Sequence, residues 1–246
     1  MAEVMPMEEL VYLHNIIRAE TAELKKAAGM LASSRGARER RDIAALIQRT
    51  RSLRSLLKCH CKSEDTIIFP ALQAKGVNLL ADTHLREHEH AAEMELVDRI
   101  SHQLSQAQHF TTQTGAEEVW SDMYAAILEL VQAVEQHLDA EERTMLPILN
   151  KTFTRAEQRS LMWRSLRQLP LVVLEHVFQS VGASLSDKRA ALMLDNMRLA
   201  APEVDAQVLG IMVRWALEGR SKLRAHEREG DSSKDHEQQH EHQQQQ

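Results

Sequence analysis

Residues 59–72, CHCKSEDTIIFPAL, and residues 136–149, QHLDAEERTMLPIL, follow one template: His, three residues, Glu, a second acid, four residues, Pro, one residue, Leu. On a helix, His60 and Glu64 lie one turn apart, and so do His137 and Glu141, so each copy presents an imidazole and a carboxylate on one face. Such a face can hold a metal. The spacing alone says little, because with 36 acidic residues and 13 His in 246, roughly two His meet an acid at i+4 by chance. The shared context carries the signal. Both copies reach a proline six residues past the Glu, Pro70 and Pro147, among apolar residues (Ile67, Ile68, Phe69, Leu72; Met145, Leu146, Ile148, Leu149), which marks two equivalent helix ends in one architecture.

Around these segments the chain has 8 Gly, 5 Pro and 4% aromatic residues. That poverty, beside abundant Leu, Ala, Glu, Gln and Arg, favours helices over sheets, because strands draw on β-branched and aromatic residues. The fold class predicted is all-α. The net charge of −6 is mild. Arg35, Arg38, Arg40, Arg41, Arg49, Arg51 and Arg54 alternate with apolar residues at helical spacing, as on a solvated helix face, and no nucleic-acid partner is expected. Cys59 and Cys61 diverge on a helix and cannot form an unstrained disulfide, which suggests a reducing compartment. No apolar run is long enough for a bilayer, and MAEVMPMEEL lacks the features of a signal peptide. No membrane association is expected, and the location is expected to be intracellular, cytoplasmic and/or nuclear.

Apolar periodicity predicts four long amphipathic helices. The first begins after Pro6 and ends near Gly29–Gly36, with Leu10, His14, Ile17, Thr21 and Leu24 on one stripe. The second runs from Arg38 to Ile68, its stripe leading into His60 and Glu64. The third starts near Leu79 and stops before the polar stretch 105–115. The fourth fills Glu117–Met145, with Met123, Ile127, Leu130 and Val134 inward of His137 and Glu141. Short connections make an up-down four-helix bundle over 7–152, with any cofactor held between facing helices. An additional C-terminal helical extension at 153–223 opens with a capping box of Thr154 and Glu157. Pro170, Gly182 and Pro202 divide the rest into helices 170–181, 187–200 and 203–219, after a first at 155–168, and the extension is expected to pack on the bundle. The Gln/His-rich tail 224–246 has no core-forming residues and reads as disordered.

Each bundle helix carries a histidine on its apolar face. In the third, His84, His88 and His90 compete; at about 100° per residue, His90 shares the face of Val97, Ile100 and Leu104, so it is preferred, with His88 in reserve. The candidate metal ligands are therefore His14, His60, Glu64, His90, His137 and Glu141. Six polar side chains on the inward faces of one bundle are costly to bury unless something satisfies them together. Two metals do so: the glutamates bridge, and two histidines complete each shell with positions left open. Imidazole with carboxylate suits Fe, Mn or Zn, and the lack of inward thiolate argues against a Cys-rich structural zinc site. Glu20 and Glu93 lie near inward positions and are expected to support or to face the surface. Cys59 and Cys61 are expected to point away from the site and are assigned no function.

The motifs HNIIRAE (14–20), HCKSEDTIIFPAL (60–72), the EHAAE containing His90, and HLDAEERTMLPIL (137–149) resemble the hemerythrin-like, or HHE cation-binding, domain. The stretch with LMWRSLRQLPLVVLEHV and LMLDNMRLAAPE is similar to the helical extension that follows such domains in the plant and algal BRUTUS-type ubiquitin ligases. The resemblance implies two non-haem irons, oxo- or hydroxo-bridged, with four terminal histidines and Glu64 and Glu141 as bridges. It also implies O2 as a ligand, and Zn or Mn as substitutes for iron. It implies an iron- and oxygen-responsive regulatory module in iron homeostasis, with ubiquitin-ligase components or targets as protein partners. The chain departs from the ligase pattern in having no RING or zinc finger, and from oxygen-carrying hemerythrins in having Glu rather than Asp after the last histidine. With no acid/base dyad apart from the ligands, regulation is expected rather than catalysis. The competing readings are a di-iron protein that handles oxygen or peroxide or oxidises ferrous iron, and a metal-free helical interaction bundle.

Overall fold

The computed structural model describes residues 5–33, 39–77, 80–107 and 116–222; the expected tail 224–246, Arg35, Arg38 and the side chain of His84 lie outside these described residues. All regular structure among them is helical. Contacts divide the chain into two compact units, one up to Leu169 and one from Pro170.

The first unit is built on α1 (Leu10–Ser33), α2 (Arg40–Ser63), α4 (Leu80–Ala107) and α5 (Ala116–Ala140), with shorter α3 (Phe69–Ala74), α6 (Leu146–Thr152) and α7 (Arg155–Leu166). Each long helix packs on two others in the ring α1, α2, α4, α5, back to α1, which is the up-down bundle that short connections dictate. In α1 the buried residues Ile17, Thr21, Leu24, Ala28 and Leu31 recur every three or four positions, and α2 does the same with Ile43, Leu46, Thr50, Leu53 and Leu57. These stripes meet Val97, Ile100 and Leu104 of α4 and Trp120, Ile127, Leu130 and Val134 of α5 in a closed apolar core. Burying one such Leu or Ile stabilises the fold by about 1.5–3 kcal/mol.

The expected helix ends before Pro70 and Pro147 are corrected by the structure. The backbone stays helical through both prolines. Glu64–Ile68 and Glu141–Met145 form wide π-helical turns, and Pro70 and Pro147 then sit in the first turn of α3 and α6. The Phe69 N–H reaches back five residues to the carbonyl of Glu64, and the Leu146 N–H does the same to Glu141. A proline inside an α-helix loses a hydrogen bond and strikes the preceding turn. Widening that turn by one residue removes the conflict, and such bulges recur at functional sites. The two copies of the sequence template thus become two copies of one bulged helix.

At the edge of this unit, the Thr154–Glu157 capping box starts α7 as expected. The buried Gln158 accepts from the Met7 N–H at 3.1 Å and donates to the Phe153 carbonyl at 3.1 Å, so α7 ties the chain entry to the end of α6.

The second unit contains α8 (Leu171–Ser184), α9 (Asp187–Ala200) and α10 (206–222). Gly182, expected to end a helix at 181, instead lies within α8. A methyl group there would run into the backbone of Ala216, and one at Gly219 into the backbone of Gln179. Both glycines serve close helix contact rather than chain reversal. Val177, Phe178, Met193, Met197 and Met212 fill the space between the helices.

Candidate metal centre

The six residues singled out from the sequence come together in the middle of the bundle. His14, His60, Glu64, His90, His137 and Glu141 are each between 0 and 4% exposed, so water cannot satisfy them. Each helix contributes through its apolar stripe: His14 stands one turn before Ile17 on α1, and His60 one turn past Leu57 on α2. His90 precedes Glu93 and Val97 on α4, and His137 follows Val134 on α5. His88, the reserve, is exposed; two residues from His90, it lies about 200° round the helix, so His90 is the inward histidine.

The carboxylates stand between the imidazoles. One oxygen of Glu141 lies 3.4 Å from Nε2 of both His14 and His60, and the other 2.7 Å from Nε2 of His137. Glu64 spans similarly, with Oε1 3.9 Å from His60 Nε2 and Oε2 3.4 Å from His90 Nε2. Two overlapping groups result: His14, His60, Glu64 and Glu141, then Glu64, His90, His137 and Glu141, with ligand atoms in each group within 4.8 Å of one another. His14 Nε2, His60 Nε2, both Glu64 oxygens and Glu141 Oε2 have no hydrogen-bond partner among the described residues. Buried polar atoms left unpaired in this way are costly, and all of these converge on the same space. The donor set and its orphaned atoms fit two bridged cations with nitrogen and oxygen ligands.

The outward face of three rings is held as well. His14 Nδ1 lies 2.9 Å from Glu142, His90 Nδ1 3.1 Å from Asp65, and His137 Nδ1 2.8 Å from Glu93. An acceptor on Nδ1 fixes the tautomer that leaves Nε2 free for a metal, and it raises the ring's basicity. Arg18 donates to Glu142 at 2.7 Å, to Glu135 at 3.1 Å and to Asp139 at 2.8 Å. Asp65 and Glu142 are the second acid of the repeated template, so the sequence displayed them, but their partners sit on other helices. Glu93 takes the supporting role expected of it, while Glu20 pairs with Arg49 at 3.1 Å, away from the centre. Cys61 belongs to neither ligand group, though it is buried, and burial together with Glu93, Glu64 and Glu141 pushes its thiol far above the usual range. An apolar stripe that buries His60 also buries its neighbour when the helix is enclosed on that side.

The electrostatics show what the site resists. Burial, then the neighbouring Glu141 charge, raises Glu64 well above the usual carboxylate range. Burial acts in the same direction on Glu141, but the His60 charge and the hydrogen bond from His137 hold it well below. Burial and the nearby His60 lower His14 to about 4. Burial opposes charge on His137 too, yet the hydrogen bonds to Glu141 and Glu93 outweigh it and raise that ring to about 11. Two adjacent carboxylates cannot both ionise in a dry site without compensating positive charge. Bound cations would supply it and allow both to act as anions.

Residues 5–149 match the hemerythrin HHE cation binding domain. The chain belongs to that family. It is 26% identical to the zinc finger protein BRUTUS of Arabidopsis thaliana over 216 residues, 87% of this chain and 16% of that protein. A BRUTUS-like zinc finger protein of the same organism is 30% identical over 74% of this chain and 14% of its own length. The iron-sulfur cluster repair protein YtfE of Edwardsiella ictaluri (strain 93-146) is 33% identical over 39% of this chain and 42% of its own length. The chain therefore spans a small fraction of the BRUTUS relatives it matches. No solved structure matches it significantly. Among the described residues, no helix is long and apolar enough to cross a membrane.

Proposed function

We propose that this protein holds two non-haem irons and acts as an iron- and oxygen-responsive regulatory module. The observation that carries the reading is the pair of four-residue groups sharing Glu64 and Glu141, a geometry in which each carboxylate contacts histidines of both groups. His14 and His60 would hold one ion, His90 and His137 the other, with both glutamates between them. Iron bound with open positions supplies redox and dioxygen chemistry. The residues around it exclude water, fix three of the four imidazoles through Nδ1, and would offset part of the ions' charge with two carboxylates. A site with four imidazoles and two carboxylates carries less negative charge than a carboxylate-rich one, which favours the ferrous state and hence reversible sensing.

Because the ligands come from four helices, metal binding is coupled to bundle stability. That coupling is the means by which occupancy becomes a signal. The similarity to the BRUTUS proteins supports a place in iron homeostasis, with ubiquitin-ligase components or their targets as the protein partners that read the signal. The test is anaerobic loading with ferrous iron, followed by elemental analysis, an optical spectrum and thermal melting. About two irons per chain and a higher melting temperature are expected in the native protein, and His60→Ala or Glu141→Ala should lower both. Unchanged stability on chelation would defeat the sensing role, and a folded protein that takes up no metal would defeat the iron site.

A further inference from the structure

The supports behind the two metal positions are unequal. At the α4/α5 position, both rings rest on carboxylates: His137 on Glu93 at 2.8 Å and His90 on Asp65 at 3.1 Å. Glu93 is 1% exposed, and its second oxygen has no partner among the described residues, so the carboxylate is shut off from water and, among the described residues, no arginine or lysine pairs with it. At the α1/α2 position the support is weaker. Only His14 has a carboxylate on Nδ1, and that residue, Glu142, also accepts from Arg18 at 2.7 Å. Among the described residues no carboxylate lies within ion-pair distance of His60 Nδ1; its pairs with Glu64 and Glu141 are made through Nε2.

We propose that the two positions fill in order, the α4/α5 position first and more tightly, because the buried Glu93 with Asp65 backs both of its imidazoles, whereas Arg18 offsets the one carboxylate behind the α1/α2 position. This rests on the two-iron reading above. A buried negative charge hydrogen-bonded to the far nitrogen of a ligand ring acts in a medium of low dielectric, and a dication gains more from it than a proton does. It also makes the imidazole a better donor. Glu142 provides the same contact, but it is partly open to water and also engages Arg18, and both weaken the field that would reach the ion. Glu93 is on this account a positioning residue that also sets the order of occupancy. Over the range of iron between the two affinities, the protein would hold one ion and leave the α1/α2 position as the one that responds.

Anaerobic calorimetric titration of the full chain with ferrous iron tests this, with Mössbauer spectra taken at one equivalent of iron-57. In the native protein we expect two resolved binding steps and, at one equivalent, a single quadrupole doublet. Glu93→Gln keeps size and a hydrogen-bond acceptor but removes the charge; it should weaken the first step by about 10- to 100-fold and split the one-equivalent spectrum into two doublets. Glu142→Gln should weaken the second step only. Asp65→Asn, on a side chain partly open to water, should act on the first step in the same direction as Glu93→Gln but less strongly, and it carries the test if Glu93→Gln fails to fold. A first step unchanged in both Glu93→Gln and Asp65→Asn, or loss confined to the second step, would overturn the proposal. Two irons taken up in one indistinguishable step by the native protein would overturn the ordering alone; fewer than two would overturn the di-iron reading with it.

Discussion

What stands on either side of each ring suits His14, His60, His90 and His137 to the proposed metal site. Nε2 of each faces the shared glutamates, and in three of the four an acid on Nδ1 prevents the ring from turning its other nitrogen inward. A surface counterpart of such hydrogen-bonded carboxylates occurs at Glu157, whose pKa is lowered to about 2 by Lys75 first and then by Thr154. A carboxylate depressed in the folded state contributes stability above its ordinary value of 4.5, and loses it as pH falls from there toward 2. Glu157→Gln should therefore be less stable than the native protein at pH 7, with the gap closing between about pH 4.5 and 2; urea unfolding midpoints across that range measure it. An unchanging gap would show that the charge on Glu157 contributes nothing. Asp65 and Glu142 were visible in the sequence as the repeated second acid, but periodicity gives only the face of a residue on its own helix. Their partners, His90 and His14, depend on how neighbouring helices are rotated, which no one-dimensional pattern contains.

The elements that carry the site are shaped by small departures from ideal helices. The π-turns at Glu64–Ile68 and Glu141–Met145 let the chain pass Pro70 and Pro147 without stopping, so each carboxylate sits at the start of a widened turn inside a continuous rod. Arg18 joins α1 to α5 through Glu135 and Asp139, and to the π-turn that follows it through Glu142. These partners are partly exposed, so screening limits the gain; Arg18→Met should cost about 1 kcal/mol, read from the denaturation midpoint. In the second unit the tight approach of α8 and α10 at Gly182 leaves no room for a side chain. Gly182→Ala should destabilise that unit by about 1–3 kcal/mol or more, as overpacking does, even though alanine is the better helix former. Unfolding followed by circular dichroism would decide which effect wins; a gain in stability would show that the close contact is absent.

At the scale of the whole molecule, the bundle encloses a polar centre within an apolar core, an arrangement that is poorly satisfied by protein atoms alone. The Glu64 carboxyl is driven toward its neutral form while Glu141 is held as an anion, so the bundle without cations carries a built-in electrostatic conflict. Cation binding would remove it. Saturating ferrous iron at a hundred times its dissociation constant should stabilise the fold by about 2.7 kcal/mol per site, and chelation should increase amide exchange most in α1, α2, α4 and α5 around the ligands. Exchange that stays the same with and without metal would mean that the bundle does not report occupancy.

The amino-acid sequence determined the helical class, the four apolar stripes, and the six ligand candidates, because helical periodicity fixes which residues share a face and two matching segments of His, Glu and Pro are hard to obtain by accident. It also displayed the capping box of α7. Tertiary packing decided the rest. It selected which nitrogen of each ring points inward, set Glu64 and Glu141 between histidines of different helices, joined Glu93 to His137, and turned two expected helix ends into widened turns. The physical reason is that local pattern fixes direction within one helix, while rotation and axial register between helices are set only when their side chains interlock.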